Sequence, residues 1–207
     1  KAGYGREASE PVDVLYYCGE GVRGLVQKRI KAWRDVHWEG RPVPHFKLLK
    51  RFPDFTNDDQ MDELDEEIKA ERRWPKLLVL DTYARVMARA GQNENDQGEV
   101  TGFVVTMEDF KERWGCTVVA VHHSGKDISQ GARGASALLA AADFSYEITA
   151  DWSAKAIRLR NEDMKEGEAF EPLHWEAIPH NDSLVLRGIT GSAYNALTRT
   201  EDECSDS

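Results

Sequence analysis

Three apolar runs of this sequence end in side chains that can do chemistry: carboxylates that can take a proton or hold a cation, and imidazoles that can donate a hydrogen bond. The run "DVLYYC" leads into Glu20, "KLLVLD" ends at Asp81 before Thr82, and "CTVVAVHH" ends in His122 and His123. The runs are continuous rather than alternating, which is typical of strands covered on both faces of a parallel sheet. Because open parallel sheets bind ligands at the carboxyl ends of their strands, we expect these five residues at one sheet edge.

The glycines around Glu20 allow two interpretations. Gly19, Gly21 and Gly24 spell G-x-G-x-x-G between a strand-like run and a helical pattern, which is the context of a dinucleotide-binding turn. That function requires an acidic residue at the end of the next strand, where this sequence has "LLKRFPDF". Glu20 would also repel a pyrophosphate, by on the order of 4 kcal/mol at about 4 Å and an effective dielectric near ~20. The sequence favours Glu20 as a base that polarises water for attack on a phosphate, with a solvated turn glutamate as the alternative.

The strand ends carrying Asp81 and the two histidines indicate a nucleotide and Mg²⁺. A hydrophobic strand closed by Asp81 and Thr82 is the arrangement that holds the hydration shell of Mg²⁺ beside a nucleotide, and a helix cap is the alternative. Neighbours on a strand point to opposite faces, so His122 and His123 are poorly placed to chelate one metal ion. We expect one imidazole to donate to a γ-phosphate oxygen and the other to pack locally.

Two basic segments follow. Lys126 and Arg133 lie in "SGKDISQGARGASALL", a Gly- and Ser-rich loop that could touch single-stranded nucleic acid or a neighbour's phosphate, or simply be exposed. Arg158 and Arg160 in "AIRLRNED" share one face of a predicted strand, because side chains alternate along a strand. Two such cations need an anion, and a salt bridge to a nearby carboxylate, Glu162 or Asp163, is the simpler explanation.

Strand and helix patterns alternate as far as Asp143 and then change. Strands are predicted at 12–18, 46–50, 76–81 and 116–123, with helices at 24–36, 57–72 and 100–114 between them and a small-residue helix after Ser136. This alternation predicts an α/β fold with a parallel sheet. Beyond Asp143, the short runs "FSYEITAD", "KAIRLRNED", "FEPLHWEAIP" and "DSLVLRGI" predict an antiparallel meander. We expect a single domain over residues 1–197 and an acidic, disordered tail over 198–207.

Composition sets broader limits. The 207 residues have a net charge of −10, which argues against a protein that coats nucleic acid with its whole surface but not against local basic loops. No run approaches the roughly 18 apolar residues of a membrane span, and no secretion signal is present. Cys18 and Cys116 lie in apolar runs, which predicts buried thiols in a reducing compartment. The expected location is therefore the cytoplasm, without a membrane partner.

Taken in order, these motifs resemble the RecA-like hexameric helicase ATPases, most closely the plasmid and phage replicative helicases of the RepA type. The resemblance covers roughly residues 12–189 and is strongest in "YYCGEG", "LLVLDTYARV" and "VVAVHHSGKD…ARGASAL". It implies a three-layer α/β/α fold whose mostly parallel central sheet is extended by the antiparallel meander. It also implies ATP and Mg²⁺ as cofactors, single-stranded DNA as a partner, and a hexameric ring of identical chains.

The resemblance also implies roles for particular residues. Glu20 matches the catalytic base and Asp81 the aspartate of the Mg²⁺ site, while the γ-phosphate sensor is His123 or His122. The loop from Lys126 to Arg133 matches the DNA-facing loop. Arg158 and Arg160 match the basic pair that supplies an arginine finger across the subunit interface, and Arg133 competes with them for that role.

The sequence departs from this family at the phosphate loop. G-x-x-x-x-G-K-[ST] does not occur in these 207 residues. Backbone N–H groups and the lysine of that loop supply most of the grip on a triphosphate, so we do not expect tight ATP binding by these residues alone. The expected function is a fragment or variant of an ATP-driven helicase, and the alternative is a non-catalytic RecA-like module that binds DNA or partners.

Overall fold

The computed structural model describes residues 10–123 and 133–199, with side chains omitted at 133–136. The chain divides into two compact units. The parallel-sheet unit comprises Glu10–Val22 and Val43–Ala141, and the antiparallel-sheet unit comprises Arg23–Pro42 together with residues 142–199 of the described chain.

The parallel-sheet unit is built on four parallel strands in the order β2-β1-β3-β4. They are β1 (Asp13–Cys18), β2 (Phe46–Leu49), β3 (Pro75–Asp81) and β4 (Thr117–Val121). The register sets Cys18 beside Asp81 and Asp81 beside Val121, so three strands end at the same level. This register brings together the residues that follow each strand.

Two helices of this unit begin at a capping side chain, and one of them ends at a left-handed glycine. They are α3 (Asp58–Ala70), α4 (Tyr83–Arg89), α5 (Gln97–Trp114) and α6 (Arg133–Ala141). The Asn57 side chain accepts a hydrogen bond from the backbone N–H of Gln60, and Asp96 accepts from two N–H groups of the first turn of α5. Gly115 ends α5 in the left-handed region at φ 57°, where glycine has no Cβ penalty.

The core of this unit lies between its sheet and helices. Leu15, Leu78 and Leu80 of the strands are fully buried, and so are Val86 of α4 and Val100 of α5. Each such side chain contributes about 1.5–3 kcal/mol by leaving water. The strands that carry the candidate residues are therefore held firmly by apolar packing.

The antiparallel-sheet unit contains four described strands in the order β5-β6-β7-β8 and, among the described residues, two helical segments. The strands are β5 (Phe144–Asp151), β6 (Ala156–Met164), β7 (Leu173–His180) and β8 (Ser183–Ile189). A helical segment runs as α1 (Val22–Gly24), a π-helical stretch (Leu25–Ile30) and α2 (Lys31–His37), and α7 (Gly191–Thr198) follows the sheet. The His174 ring of β7 packs against Tyr194 of α7, with ring centroids 4.6 Å apart.

The predicted fold class, an α/β structure with a parallel sheet and an antiparallel meander, is confirmed. Among the described residues the meander forms a sheet of its own, because its strands pair with their sequence neighbours and none pairs with the parallel strands. Helices α4 and α7 were not predicted. In the helix predicted at 24–36, Trp33 is 43% exposed, whereas its neighbour Ala32 is buried. The tail from residue 200 lies outside the described residues.

Candidate active site

The carboxyl edge of the parallel sheet carries the three sequence motifs. Glu20 lies two residues beyond β1, Asp81 is the last residue of β3, and His122 follows β4 directly. Since β3 lies between β1 and β4, Asp81 is central in this row. The expected grouping of Glu20, Asp81, Thr82 and the histidines at one edge follows from strand order and register.

The turn that presents Glu20 is fixed by its glycines and by Cys18. The Gly19 N–H donates to the Asp81 carbonyl, which ties the turn to β3. A Cβ on Gly19 would lie 2.6 Å from Cβ of Arg85, so the position has no room for a side chain. Gly21 has φ 63°, a conformation that glycine adopts without strain. The buried Cys18 thiol donates to the Glu20 carbonyl at 2.8 Å. These constraints account for Gly19 and Gly21 without a dinucleotide.

Arg85 is the residue of this edge that sequence reasoning missed. Its Nε donates to Oε1 of Glu20 at 2.6 Å, and both side chains are 55% exposed. Exposed ion pairs contribute about 0–1 kcal/mol, so this contact orients Glu20 more than it stabilises the fold. Arg85 follows Asp81 by four residues in "LDTYAR", but this local pattern does not indicate a contact with Glu20.

Asp81 is held at the strand end by a neighbouring tyrosine. The Tyr16 hydroxyl donates to Oδ2 of Asp81 at 2.6 Å, across the β1–β3 pair. Next to it, the buried Thr82 hydroxyl has no hydrogen-bond partner among the described residues. Thr82 is also the residue before α4, yet its side chain does not cap that helix. A carboxylate beside an unpartnered hydroxyl is a donor set of the type that Mg²⁺ and its waters use.

The histidines end β4 with different surroundings. Both histidines are exposed, and the His122 ring lies 5.9 Å from the ring of Tyr83. Tyr83 is fully buried, and burial, with a smaller contribution from Glu94, raises the pKa of its phenol to about 12. His122 thus has the local packing contact expected of one histidine. Either imidazole remains a candidate for the sensor role.

Of the four basic candidates, the structure describes the side chains of Arg158 and Arg160, both on β6. Arg160 on β6 forms ion pairs with Glu147 of β5, at 2.6 Å, and with Glu162, the salt bridge that the sequence offered as the simpler explanation. Arg158 makes no ion pair in the described part of the chain, and its Nε is buried without a partner. Lys126 lies outside the described residues. Arg133 is the first residue of α6, and its side chain is not described.

The residues of the edge fit a nucleotide with Mg²⁺ better than a metal cage. Among residues 10–123 and 133–199, no group of three or more His, Cys, Asp or Glu side chains is arranged to hold a metal ion. Mg²⁺ in nucleotide sites is bound by one or two carboxylates, waters and substrate phosphates, so Asp81 alone suffices on the protein side.

Within residues 10–123 and 133–199, none of the helices has the length and apolar character that a bilayer span requires.

Comparisons with known proteins point in the same direction. A protein-family model described as an AAA domain matches residues 2–129. The fold is similar to the crystal structure of the KaiC-like protein PH0186 from the hyperthermophilic archaeon Pyrococcus horikoshii OT3, with a TM-score of 0.54. The two are 14% identical, and the alignment covers 84% of this chain and 75% of that chain. At this identity the likeness concerns the fold alone. No curated protein matches the sequence.

Proposed function

Because the chain belongs to the AAA domain family and has the fold of RecA-like ATPases, we propose that it forms part of an ATP-hydrolysing, ring-forming helicase that acts on single-stranded DNA in replication. One observation carries the proposal: three adjacent strands end in Glu20, Asp81 and His122-His123 at a single sheet edge. An edge of this kind is where open α/β folds bind nucleotides.

Glu20 is the proposed catalytic base. Its carboxylate is exposed on a rigid turn and accepts a hydrogen bond from Arg85, so one oxygen is oriented while the other is available to accept a proton from water. ATP with Mg²⁺ would supply the phosphoryl group and the positive charge that neutralises it. Asp81 and the Thr82 hydroxyl would hold the hydrated ion, and Tyr16 would keep the Asp81 carboxylate in place.

The remaining candidates act on the γ-phosphate or on DNA. His123 or His122 would donate a hydrogen bond that reports whether the γ-phosphate is present. Arg158 or Arg160 would reach the site of a neighbouring chain, with Arg133 as a competitor, and such a finger raises turnover by about 10³–10⁵. Lys126, and Arg133 at the first residue of α6, would contact the DNA backbone. These roles depend on assembly into a ring, which is itself part of the proposal.

Calorimetry with ATP, a slowly hydrolysed analogue and Mg²⁺ tests the nucleotide site. We expect the wild-type chain to bind the analogue in a Mg²⁺-dependent way, and the Asp81→Asn variant to lose that dependence because its amide cannot replace the carboxylate. An exposed carboxylate on α3 provides the matched control, Glu63→Asn, which should bind as the wild type does. Equal Mg²⁺ dependence in all three proteins would contradict the assignment of Asp81.

A non-catalytic module is the second candidate, and one observation favours it. These 207 residues contain no phosphate-loop sequence, which ordinarily provides the main grip on the triphosphate. Such a module would bind DNA or partner chains and would show no nucleotide binding at millimolar concentrations. The presence of Glu20, Asp81 and the histidines at one edge favours the ATPase, because a module without catalysis has no need of that set.

A further inference from the structure

We propose that the helical segment Val22–His37, with its unpaired cations and the exposed Trp33, is a binding surface for single-stranded nucleic acid. The proposal depends on the proposed function only for the expectation that this chain meets such a ligand. The proposed surface involves residues other than Lys126 and Arg133. All of its residues except Val22 belong to the antiparallel-sheet unit.

The charge of this segment is opposite to that of the chain. Residues 22–41 contain six Lys or Arg and two Asp or Glu, a net charge of +4 within a chain of −10. A local basic surface in an acidic protein concentrates a polyanion there rather than over the whole molecule. The segment therefore has the electrostatic character that a phosphate backbone requires.

Three of these cations are not neutralised within the protein. Among the described residues, Lys28 and Arg29 are exposed and form no ion pair, and Arg23 donates only to the neutral Gln27 amide, at 3.1 Å. Other cations of the chain are already paired, for example Arg113 with Asp65 and Arg187 with Glu176. Three charges left available within seven residues are the expected state of a phosphate-binding surface before its ligand arrives.

Apolar side chains lie exposed among the cations. The segment packs on its own sheet through contacts with β8 and buries Ala32. Trp33, the next residue, and Val26, seven positions before it, are each 43% exposed. The Trp33 ring lies against the His37 ring, with centroids 5.4 Å apart, and part of its indole stays open to solvent beside the cations. Base stacking on an exposed indole contributes about 1–3 kcal/mol per base.

The backbone supports a role in binding. Leu25–Ile30, the stretch that contains both unpaired cations Lys28 and Arg29, is π-helical. π-helical turns are rare and are found frequently at functional sites. At the other end, Arg34 donates to the carbonyls of Gly40 and, at 2.6 Å, Arg41, which fixes the end of the segment. The cations and the indole are thus presented on an ordered helical support.

These features favour nucleic acid over a membrane surface. A helix that lies on a bilayer has a broad apolar face with its cations on the opposite side. Here the described segment exposes few large apolar side chains, namely Val26, Trp33 and Val36, beside three exposed cations without a carboxylate partner, so charge rather than a broad apolar face dominates it. Unpaired cations beside an exposed aromatic ring are the groups that bind the phosphates and stack on the bases of a single strand.

Fluorescence anisotropy with labelled oligo(dT) and oligo(U) of about 20 nucleotides tests the proposal with the full chain. The wild type should bind, and the Lys28→Glu/Arg29→Glu variant should bind at least about tenfold more weakly, with a salt slope reduced by about 1.4 for two lost phosphate contacts. Trp33→Ala should weaken binding about 5- to 100-fold through lost stacking. The two probes distinguish DNA from RNA as the ligand.

A matched pair of cations provides the control. Lys50 and Arg51 are adjacent, exposed and without an ion pair among the described residues, so Lys50→Glu/Arg51→Glu changes the net charge equally. At about 0.1 M salt, where the Debye length is ~10 Å, charges outside the binding surface are screened. That variant should therefore change the affinity for the oligonucleotide by less than about twofold. Equal losses in both charge variants, or no binding by the wild type, would overturn the proposal. So would loss of binding to anionic vesicles, but not to oligonucleotide, in Trp33→Ala.

Nucleotide calorimetry on the same variants separates this surface from the ATPase proposal. The wild type, Lys28→Glu/Arg29→Glu and Trp33→Ala should bind ATP equally, because their altered residues lie on the helical segment and not at the strand ends. The Lys50→Glu/Arg51→Glu control is left out of this comparison, because both residues directly follow β2 at the same edge of the parallel sheet. ATP binding without oligonucleotide binding would reject the surface and leave the ATPase intact. Circular dichroism melts check folding, and the two charge variants, which change only exposed side chains, keep the test decisive if Trp33→Ala proves unstable.

Discussion

Glu20 owes its position to residues that surround it rather than to its own side chain. Gly19 is packed against Arg85, Gly21 turns the chain with a positive φ, and Arg85 contacts the carboxylate itself. The carboxylate, its turn and its cation partner therefore form one local unit. Its parts differ in what they contribute: the glycines determine the backbone, and Arg85 determines the side-chain orientation.

Alanine at Gly19 in this turn and at Gly24 in the helical segment that follows should change the free energy of unfolding in opposite directions. Gly19→Ala should lower the free energy of unfolding by about 1–3 kcal/mol, because its Cβ would lie 2.6 Å from the Arg85 Cβ. Gly24→Ala should raise it by up to about 1 kcal/mol, because Gly24 is helical and has open space around it. Urea denaturation measures both. A destabilised Gly24→Ala with an unchanged Gly19→Ala would contradict the geometry of the turn.

The buried Tyr83 makes the free energy of unfolding depend on pH at alkaline pH. Burial raises the pKa of its phenol to about 12, above that of an unfolded tyrosine near ~10. The folded chain keeps the proton that the unfolded chain loses, so this stabilisation is complete below about pH 10 and is lost as the pH rises towards about 12.

The Tyr83→Phe variant isolates that term. Between about pH 9 and about pH 12, unfolding free energy should fall more steeply for the wild type than for the variant, by up to about 2–3 kcal/mol. At neutral pH the variant should be at least as stable, because the buried Tyr83 hydroxyl has no partner among the described residues. Parallel pH profiles would show that the phenol is not buried.

At the scale of elements, a buried carboxylate joins α3 to α5. Asp65 is 3% exposed, accepts a hydrogen bond from the Trp114 indole at 2.7 Å and pairs with Arg113. Asp62, one turn earlier, is exposed and lies 3.6 Å from the same guanidinium. The two carboxylates therefore differ in burial but share a partner, which makes them a matched pair.

Removing the buried carboxylate should loosen this helix pair. Asp65→Ala should lower the free energy of unfolding by about 2–3 kcal/mol, because the buried Trp114 N–H loses its acceptor and Arg113 its closest partner. Asp62→Ala should cost less than about 0.5 kcal/mol, as exposed pairs do. Thermal or chemical denaturation distinguishes the two, and similar losses would contradict the assigned burial.

The elements also show what the sequence could predict. Continuous apolar runs placed all four parallel strands within about two residues, and the helices predicted at 57–72 and 100–114 match α3 and α5 within about three residues. Helix α4 was missed because its seven residues are too few for a clear apolar period. The π-helical stretch was missed because π geometry has no sequence period of its own. The contact between Arg85 and Glu20 joins residues 65 apart, which local patterns do not relate.

At the scale of the whole molecule, the proposed arginine finger would make each active site depend on more than one chain. Glu20 and Asp81 belong to the parallel-sheet unit, whereas Arg158 and Arg160 belong to the antiparallel-sheet unit. If these arginines act on a neighbour's nucleotide, a site contains Glu20 from one chain and arginines from another. Sequence motifs identify such residues but not the chain on which each one acts.

Mixing two inactive variants tests this shared site. Glu20→Gln retains the arginines and should lose turnover by about 10²–10⁴, whereas Arg158→Ala/Arg160→Ala retains the base and should lose about 10³–10⁵. Mixed chains should regain part of the ATP hydrolysis, because some interfaces then combine an intact base with intact arginines. Absence of recovery, with both variants shown to assemble together, would place the arginines outside the active site.

The central claim is that Glu20 is the base for ATP hydrolysis, and phosphate release by Glu20→Gln tests it most directly. Glutamine keeps the size of Glu20 and can still accept from Arg85, so nucleotide binding should be unchanged. Turnover should fall by about 10²–10⁴, the contribution of a positioned base, while Glu63→Gln on α3 should retain wild-type turnover. Full hydrolysis by Glu20→Gln would contradict the account and would assign the base to another residue of the edge.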